Sequence, residues 1–261
     1  MRDPIPKETV EYLDEIVARL RTTLGADLVG VYAGGSLALG GYDERRSDVD
    51  VAVVTRGAPG QAAKEKLVAS VRHESLACPA RGLELVVYTA RTAGTPTPAA
   101  GYELNLNTGR AMPFHLSFAP GDGQAEHWYG IDRAVIHEHG RALLGPPAAG
   151  LFAAPSRSMV LGLLAEAVRW HGQAGIARDD DAVLNACRAL RYAAEGRWTS
   201  KQDAGDWART RVADGALVAD ALAARPGSGE GLEAARVGRF LEAARRSLEE
   251  AAGEPAAPGS A

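Results

Sequence analysis

Apolar residues recur along the first part of the chain at two different spacings. Helical spacing predicts helices over residues 8–24 and 62–75. Short runs rich in β-branched residues predict strands at 27–33, 48–55 and 83–90. Because strands and helices alternate here, this part of the chain is predicted to fold as a mixed sheet with helices.

The rest of the chain has the spacing of helices. A helix is predicted over 132–144, and the Gly- and Pro-rich stretch at 145–156 has the composition of a linker. Beyond it, apolar residues return every three or four positions in stretches such as 159–168, 183–190 and 232–248. The sequence therefore predicts an α+β protein, in which a sheet domain is followed by a helical bundle.

The predicted borders follow these changes in pattern. The first domain is expected over 1–150 and the helical domain over 151–252. The last stretch, 253–261, is small and polar and is expected to be a disordered tail. Residues 94–130, rich in Thr, Pro, Asn and Gly, are assigned no role.

Composition narrows the class of protein. With 261 residues, of which 46% are hydrophobic, the chain can bury a sizeable core. A net charge of −4 argues against a dedicated nucleic-acid binder and is compatible with a cationic small substrate. Two cysteines, Cys78 and Cys187, are expected to be small buried residues. Without a signal core or a membrane-spanning stretch, the expected compartment is the cytoplasm, with no membrane partner.

The segment GGSLALGGYDERRSDVDVAVV, residues 34–54, holds two carboxylates at the start of a predicted strand. Side chains alternate along a strand, so Asp48 and Asp50 share one face while Val49 and Val51 point into the core. Two neighbouring carboxylates repel each other, and a divalent cation between them would relieve that repulsion. Mg²⁺ takes one or two carboxylates together with phosphate oxygens, so Asp48 and Asp50 are predicted metal ligands.

Two further features surround this pair. Glycine allows backbone N–H groups to approach a phosphate closely, and the Ser36 hydroxyl beside Gly35 can donate one more hydrogen bond. Glu84 interrupts an apolar strand, where a charge is costly unless it faces a metal, a polar cleft or solvent. An alternative interpretation makes Asp48 a turn residue, and Asp50 and Glu84 residues of exposed sheet edges.

The order Gly35-Ser36 followed by Ser47-Asp48-Val49-Asp50 resembles the signature of the nucleotidyltransferase superfamily that includes DNA polymerase β. More closely, the chain resembles the aminoglycoside adenylyltransferases that modify streptomycin and spectinomycin, although its spacer is one residue longer. RGLELVVY resembles the strand with the catalytic base, and EHGRALLGPPAAGLF the end of the first domain. NACRALRYAAEGRWTSKQDAGDWA resembles the helical domain's most distinctive stretch.

The resemblance implies AMP transfer from ATP, with Mg²⁺, to a hydroxyl of a small cationic aminocyclitol antibiotic, which confers resistance. It puts the role of catalytic base on Glu84 and makes the first domain a nucleotidyltransferase domain. The residues it implies for nucleotide binding are Gly35, Ser36, Ser47, Arg188 and Lys201. Taken alone, Lys201 is more typical of a solvated lysine in a first helical turn, and Arg188 of a residue on a helix surface.

Substrate recognition is less well defined by the pattern. Asp179, Asp180 and Asp181 are candidates to bind the ammonium groups of the drug, or are acids that stabilise a helix start. The stretch 105–109 lacks the tryptophan of streptomycin-modifying members, and Ala174 and Arg178 replace two of their drug-binding aspartates. We therefore expect spectinomycin to be favoured over streptomycin.

Two other functions stay open at this point. The first alternative is an adenylyltransferase that acts on a non-drug acceptor, such as another protein. The second is a non-catalytic binding module with the same fold. All three carboxylates of the motif are present, which favours an enzyme. We expect it to act as a monomer without nucleic acid.

Overall fold

The computed structural model describes residues 5–121, 125–173, 179–225 and 231–253. The chain divides into two compact units, Met1–Ala154 and Pro155–Ala261. The predicted border between residues 150 and 151 falls a few residues before this division. Within the described ranges, no helix combines the length and the apolar character needed to cross a bilayer.

The first unit contains a mixed sheet with helices. Its strands are β1 Leu28–Ala33, β2 Val49–Thr55, β3 Leu83–Thr89, β4 Leu104–Gly109, β5 Met112–Ser117 and β6 Arg141–Leu144. Its helices are α1 Lys7–Leu24, α2 Gly35–Leu39, α3 Gln61–Val71, α4 Ala90–Ala93 and α5 His127–His139, with 3₁₀ turns at Gly25–Asp27 and Ala148–Gly150.

The sheet has the strand order β5-β4-β3-β2-β1-β6. Strands β2 and β3 run parallel, and the other neighbouring pairs run antiparallel. A parallel pair needs a crossover connection, which α3 supplies between β2 and β3. Both β2 and β3 are interior strands, so side chains on either of them are flanked by a strand on each side.

One face of the sheet is the larger apolar core. Val51 and Val53 of β2 and Leu85 of β3 are buried there, in one cluster with Ile16 of α1 and Leu67 of α3. Because side chains alternate along a strand, the residues next to Val51 and Leu85, which are Asp50 and Glu84, point to the opposite face. Within β2, Asp50 is the one residue that is not buried.

The opposite face is covered in part by α5. Tyr32, Tyr88 and Phe152 form a second cluster with Tyr129 of α5, and Phe152 packs edge-on against Tyr32 with ring centroids 5.3 Å apart. Burial of Phe152 makes the end of the predicted linker part of the first unit's core. The strand residues of this cluster, such as Ala52 of β2 and Tyr88 of β3, lie further along the two strands than Asp50 and Glu84 do.

Three segments differ from the sequence-based prediction. The helix predicted over 132–144 begins earlier, at His127, and ends at His139. After Gly140, residues Arg141–Leu144 form β6, which pairs with the edge of β1. The stretch at 94–120, for which no element was predicted, contains β4 and β5.

The second unit is helical in its described residues, as predicted. Its helices are α6 Arg157–His171, α7 Asp179–Glu195, α8 Lys201–Ala208, α9 Gly215–Ala224 and α10 Ala234–Gly253. Ser156, Ser200 and Asp214 cap α6, α8 and α9 by accepting hydrogen bonds from backbone N–H groups of the first turns. The α+β fold predicted from the sequence is therefore confirmed.

Two smaller predictions concern the C-terminal tail and the two cysteines. Gly253, the first residue of the predicted tail, is the last residue of α10, and 254–261 lie outside the described residues. Cys78 and Cys187 are both buried and unpaired, as expected for small core residues.

Candidate active site

The three carboxylates predicted from the motif lie on one face of the sheet. Asp50 of β2 is the direct partner of Glu84 on the parallel strand β3. Directly paired residues on neighbouring strands point to the same face, about 5 Å apart. Asp48 lies two residues before Asp50 and, by alternation, faces the same way. Because β2 and β3 are interior strands, the interpretation of Asp50 and Glu84 as sheet-edge residues is wrong.

The glycine corner fits tightly around Asp50. Gly35 has φ +45°, and a Cβ added to it would lie 1.9 Å from Oδ2 of Asp50. The backbone N–H of Gly34 donates a 3.0 Å hydrogen bond to the carbonyl oxygen of Asp50. A side chain at position 35 is therefore excluded both by the backbone angle and by the carboxylate beside it.

The two serines of the motif differ in their surroundings. The hydroxyl oxygen of Ser36, in the first turn of α2, is buried without a hydrogen-bond partner in the protein. Leaving a buried polar group unsatisfied costs about 1–3 kcal/mol, so this hydroxyl is suited to bind a ligand. Ser47 instead accepts a 3.1 Å hydrogen bond from the backbone N–H of Asp43, which closes the loop before β2.

Like charges dominate the electrostatics around Glu84. Burial, followed by repulsion from Asp50 and Asp48, raises the pKa of Glu84 well above its ordinary value. The Arg81 guanidinium opposes this rise and lies 3.8 Å from the carboxylate of Asp48. The site therefore favours a bound cation, or a proton on Glu84.

The donor set fits a hard divalent cation. Asp48 and Asp50 offer carboxylate oxygens, which Mg²⁺ prefers, and their position beside Ser36 leaves phosphate oxygens to complete the coordination. Among the residues that the structure describes, no group of three or more His, Cys, Asp or Glu side chains is arranged to hold a metal ion.

In the second unit, two of the predicted site residues contact each other. The ammonium nitrogen of Lys201, at the start of α8, lies 3.0 Å from a carboxylate oxygen of Asp181 on α7. Burial lowers the pKa of Lys201, and Asp181 opposes that shift. Asp179, Asp180 and Asp181 form the first turn of α7, where acids stabilise the helix dipole. Asp180 is buried.

Arg188, also on α7, donates a 3.4 Å hydrogen bond to the side-chain oxygen of Asn185. Asn185 in turn contacts Nε2 of His171 on α6 at 3.0 Å. Ala174 and Arg178, which bear on the choice of drug, lie outside the described residues. The nucleotide and drug assignments in this unit stay predictions.

Sequence reasoning assigned no role to three residues that lie near Glu84. Arg81 is the basic neighbour of Asp48, and Asn107 of β4 pairs directly with Glu84. Asp132 of α5 also repels the charge of Glu84. Asp132 could have been found from the helical spacing of Tyr129, Asp132 and Ile136, had the helix been predicted to begin before residue 132.

Comparison with known proteins agrees with this geometry. Residues 13–87 match the family model described as nucleotidyltransferase domain, and residues 152–249 match the one described as aminoglycoside adenylyltransferase, C-terminal domain. No curated protein matches the chain in sequence. The fold is similar to that of spectinomycin adenyltransferase AAD(9) from Enterococcus faecialis, solved with ATP and spectinomycin. The TM-score is 0.72 at 16% identity, covering 92% of this chain and 99% of that one.

The first match runs from within α1 to within β3. It includes the Gly34-Gly35-Ser36 corner and the three carboxylates Asp48, Asp50 and Glu84. The protein is therefore a member of the nucleotidyltransferase superfamily. Since the second match covers most of the helical unit, the chain belongs to the aminoglycoside adenylyltransferase family within it.

Proposed function

We propose that the protein transfers AMP from ATP to a hydroxyl group of an aminocyclitol antibiotic, and thereby confers resistance. The observation that carries the proposal is the pairing of Asp50 with Glu84 beside the Gly35-Ser36 corner. This arrangement combines a candidate metal-binding pair, a candidate phosphate-binding hydroxyl and a half-buried base on one face of the sheet. The family to which the chain belongs supports the same reaction.

Nucleotide binding is assigned to the corner and to the loop before β2. Ser36 donates its otherwise unpartnered hydroxyl to a phosphate oxygen, and the glycine backbone allows close approach. Asp48 and Asp50 would hold Mg²⁺, which when bound neutralises charge on the α-phosphate and on the leaving pyrophosphate. Ser47 keeps the loop closed and has its hydroxyl proton available for the nucleotide.

Glu84 serves as the general base. It accepts the proton of the acceptor hydroxyl, whose oxygen then forms a bond to the α-phosphorus as the bond to pyrophosphate breaks. A raised pKa makes its carboxylate a stronger base than an exposed glutamate. Asp50 pairs directly with Glu84, so the proposed metal ligand and the proposed base lie next to each other in one site.

The second unit is proposed to contribute charges to both substrates. Arg188 and Lys201 would neutralise the phosphates of ATP, while Asp179, Asp180 and Asp181 would bind ammonium groups of the drug. The 3.0 Å contact of Lys201 with Asp181 supports neighbouring positions for the proposed nucleotide and drug residues within this unit.

Spectinomycin is the proposed acceptor in preference to streptomycin. Streptomycin carries two guanidinium groups, whose recognition favours an aromatic platform and bidentate carboxylates. The position beside Glu84 on β4 is occupied by Asn107, which offers an amide and no ring. The structurally similar adenyltransferase was solved with ATP and spectinomycin, which supports the same acceptor here.

Pyrophosphate release tests the reaction and the preference together. With ATP and Mg²⁺, release is expected to require an aminocyclitol and to give a higher kcat/KM with spectinomycin than with streptomycin. Equal or better efficiency with streptomycin would contradict the preference while leaving the reaction intact. Release that is independent of any aminocyclitol, or that requires a protein acceptor, would contradict the proposed function.

Gly35→Ala provides a separate test of the corner. The added Cβ would collide with the Asp50 carboxylate and displace it. Displacement of a reacting group by about 1 Å costs about 10²-fold in rate, so we expect a loss in kcat of at least that size. The matched control is Gly57→Ala, since a Cβ at Gly57 meets nothing within 4 Å. Wild-type kcat in Gly35→Ala would contradict the tight fit around Asp50.

A further inference from the structure

Arg81 brings a positive charge close to the three carboxylates of the sheet. Its guanidinium nitrogen Nη1 lies 3.8 Å from Oδ2 of Asp48. The same charge opposes the rise in the pKa of Glu84, which Asp50 and Asp48 cause together with burial. Arg81 is therefore an electrostatic partner both of a carboxylate assigned to the metal and of the one assigned to the proton.

Two long hydrogen bonds hold the guanidinium beside Asp48. Nη1 donates to the carbonyl oxygen of Arg46 at 3.5 Å, and Nη2 donates to the carbonyl oxygen of Ala111 at 3.3 Å. Arg46 lies in the loop before β2, and Ala111 lies in the turn between β4 and β5. Because the planar guanidinium of Arg81 donates to both segments, its charge has a defined position.

The backbone of Arg81 is anchored as well. Its N–H donates a 3.3 Å hydrogen bond to the carbonyl oxygen of Ser47, the residue before Asp48. Its carbonyl oxygen accepts a 3.1 Å hydrogen bond from the N–H of Ala111, and a Cβ added to Gly109 would collide with that same oxygen. The backbones that carry Arg81 and Asp48 are thus fixed relative to each other.

A fixed cation beside a metal ligand affects a free metal ion and a metal–nucleotide complex in opposite directions. The guanidinium of Arg81 stabilises the Asp48 carboxylate by Coulomb attraction. A free divalent cation that binds this carboxylate cancels that attraction and is itself repelled by the guanidinium. The complex of the cation with ATP is anionic as a whole, so the guanidinium attracts it. Since the Arg81 side chain is 39% exposed, solvent weakens both effects without abolishing them.

We propose that Arg81 makes Asp48 and Asp50 selective for a divalent cation that arrives with ATP over the same cation free in solution. The inference rests on the metal and nucleotide assignments of the proposed function, and it names the residue that makes metal binding depend on the nucleotide. Arg81 acts through its charge beside Asp48 and is not assigned to the reacting atoms. Binding measured without an acceptor therefore tests this role separately from the transfer reaction.

Dissociation constants for Mn²⁺ and for MnATP test the proposal. Mn²⁺ prefers the same oxygen ligands as Mg²⁺, and its free concentration is measured by electron paramagnetic resonance. In Arg81→Gln, Kd for Mn²⁺ alone is expected to fall about 5- to 10-fold, whereas Kd for MnATP is expected to rise about 2-fold or more. Arg81→Lys keeps the charge and is expected to bring both constants back toward wild type.

Arg110→Gln is the matched control. Arg110 is exposed in the turn that also contains Ala111, and removal of its charge is expected to leave both dissociation constants at wild-type level. If thermal melting shows that Arg81→Gln does not fold, Arg81→Met, which keeps the apolar stem of the side chain, takes its place. Failure of both variants to fold would make Arg81 a structural residue and would overturn the inference.

The remaining outcomes separate this inference from the proposed function. A change of both constants in the same direction, or of neither, would overturn the role of Arg81 even where the wild-type protein transfers AMP to an aminocyclitol. If the two constants shift in opposite directions as expected while the wild-type protein transfers AMP to no aminocyclitol, the proposed function fails and the role of Arg81 stands.

Discussion

Replacing Asp50 with asparagine is expected to reduce AMP transfer by at least about 10³-fold, because a metal that stabilises transition-state charge loses one of its two ligands. MgATP binding is expected to weaken as well. Asparagine keeps the shape of the side chain beside Gly35 and removes its repulsion of Glu84, so the fold should persist. The measurements are kcat, KM for MgATP and the melting temperature.

Asp14→Asn is the matched control for this variant. Asp14 is exposed on α1, and the same change of charge there is expected to leave all three quantities unaltered. A transfer rate close to wild type in Asp50→Asn would show that Asp50 does not bind the metal. Loss of the folded state would instead show that the carboxylate is needed for the structure of the glycine corner.

Glu84→Gln is expected to lower kcat by about 10²-fold or more, the usual contribution of a positioned base. Glutamine keeps the shape and the hydrogen-bonding capacity of the side chain but cannot take up the proton. Affinity for MgATP is expected to stay close to wild type, because the metal is assigned to Asp48 and Asp50. A variant that loses nucleotide binding would instead make Glu84 a third metal ligand.

The same substitution has a predictable effect on stability. The pKa of Glu84 is raised in the folded protein above the ordinary value of 4.5, so the folded protein binds this proton more tightly than the unfolded chain does. Stability is therefore lost as the pH rises through the raised pKa. Without metal, Glu84→Gln is expected to melt above wild type at neutral pH, and the difference is expected to vanish below pH 4.5.

An exposed glutamate on α1 supplies the comparison for both effects. Glu8→Gln removes the same charge from a position far from the sheet face and is expected to change neither kcat nor the pH dependence of melting by a comparable amount. A melting temperature of Glu84→Gln below wild type at neutral pH, in the presence of a chelator, would contradict the electrostatic description of the site.

The carboxylates on the sheet could be predicted because their signal is local. Alternation within an apolar strand puts Asp48 and Asp50 on one face, and a charge inside the next apolar run marks Glu84. Their direct pairing depends on the parallel register of β2 and β3, which requires the crossover through α3. The resemblance to a family supplied the roles of these residues, since one short motif does not determine a reaction.

Other features depend on tertiary packing. Residues Arg141–Leu144 are good helix formers and were predicted as helix, but they add a short strand to the edge of β1. The repulsion between Asp132 of α5 and Glu84 of β3 joins a helix to a strand, and the ion pair between Lys201 and Asp181 joins two separate helices. Neither contact has a counterpart in the local pattern of the sequence.

Mass spectrometry of the reaction product is the most direct test of AMP transfer to a small acceptor. The protein is incubated with ATP, Mg²⁺ and spectinomycin, and Asp50→Asn is treated in parallel. We predict one adenylyl group on spectinomycin for each pyrophosphate released by the wild-type protein, and none with Asp50→Asn. Unmodified spectinomycin and unmodified members of an aminocyclitol panel, with AMP found on a protein or on no acceptor, would contradict the proposed function.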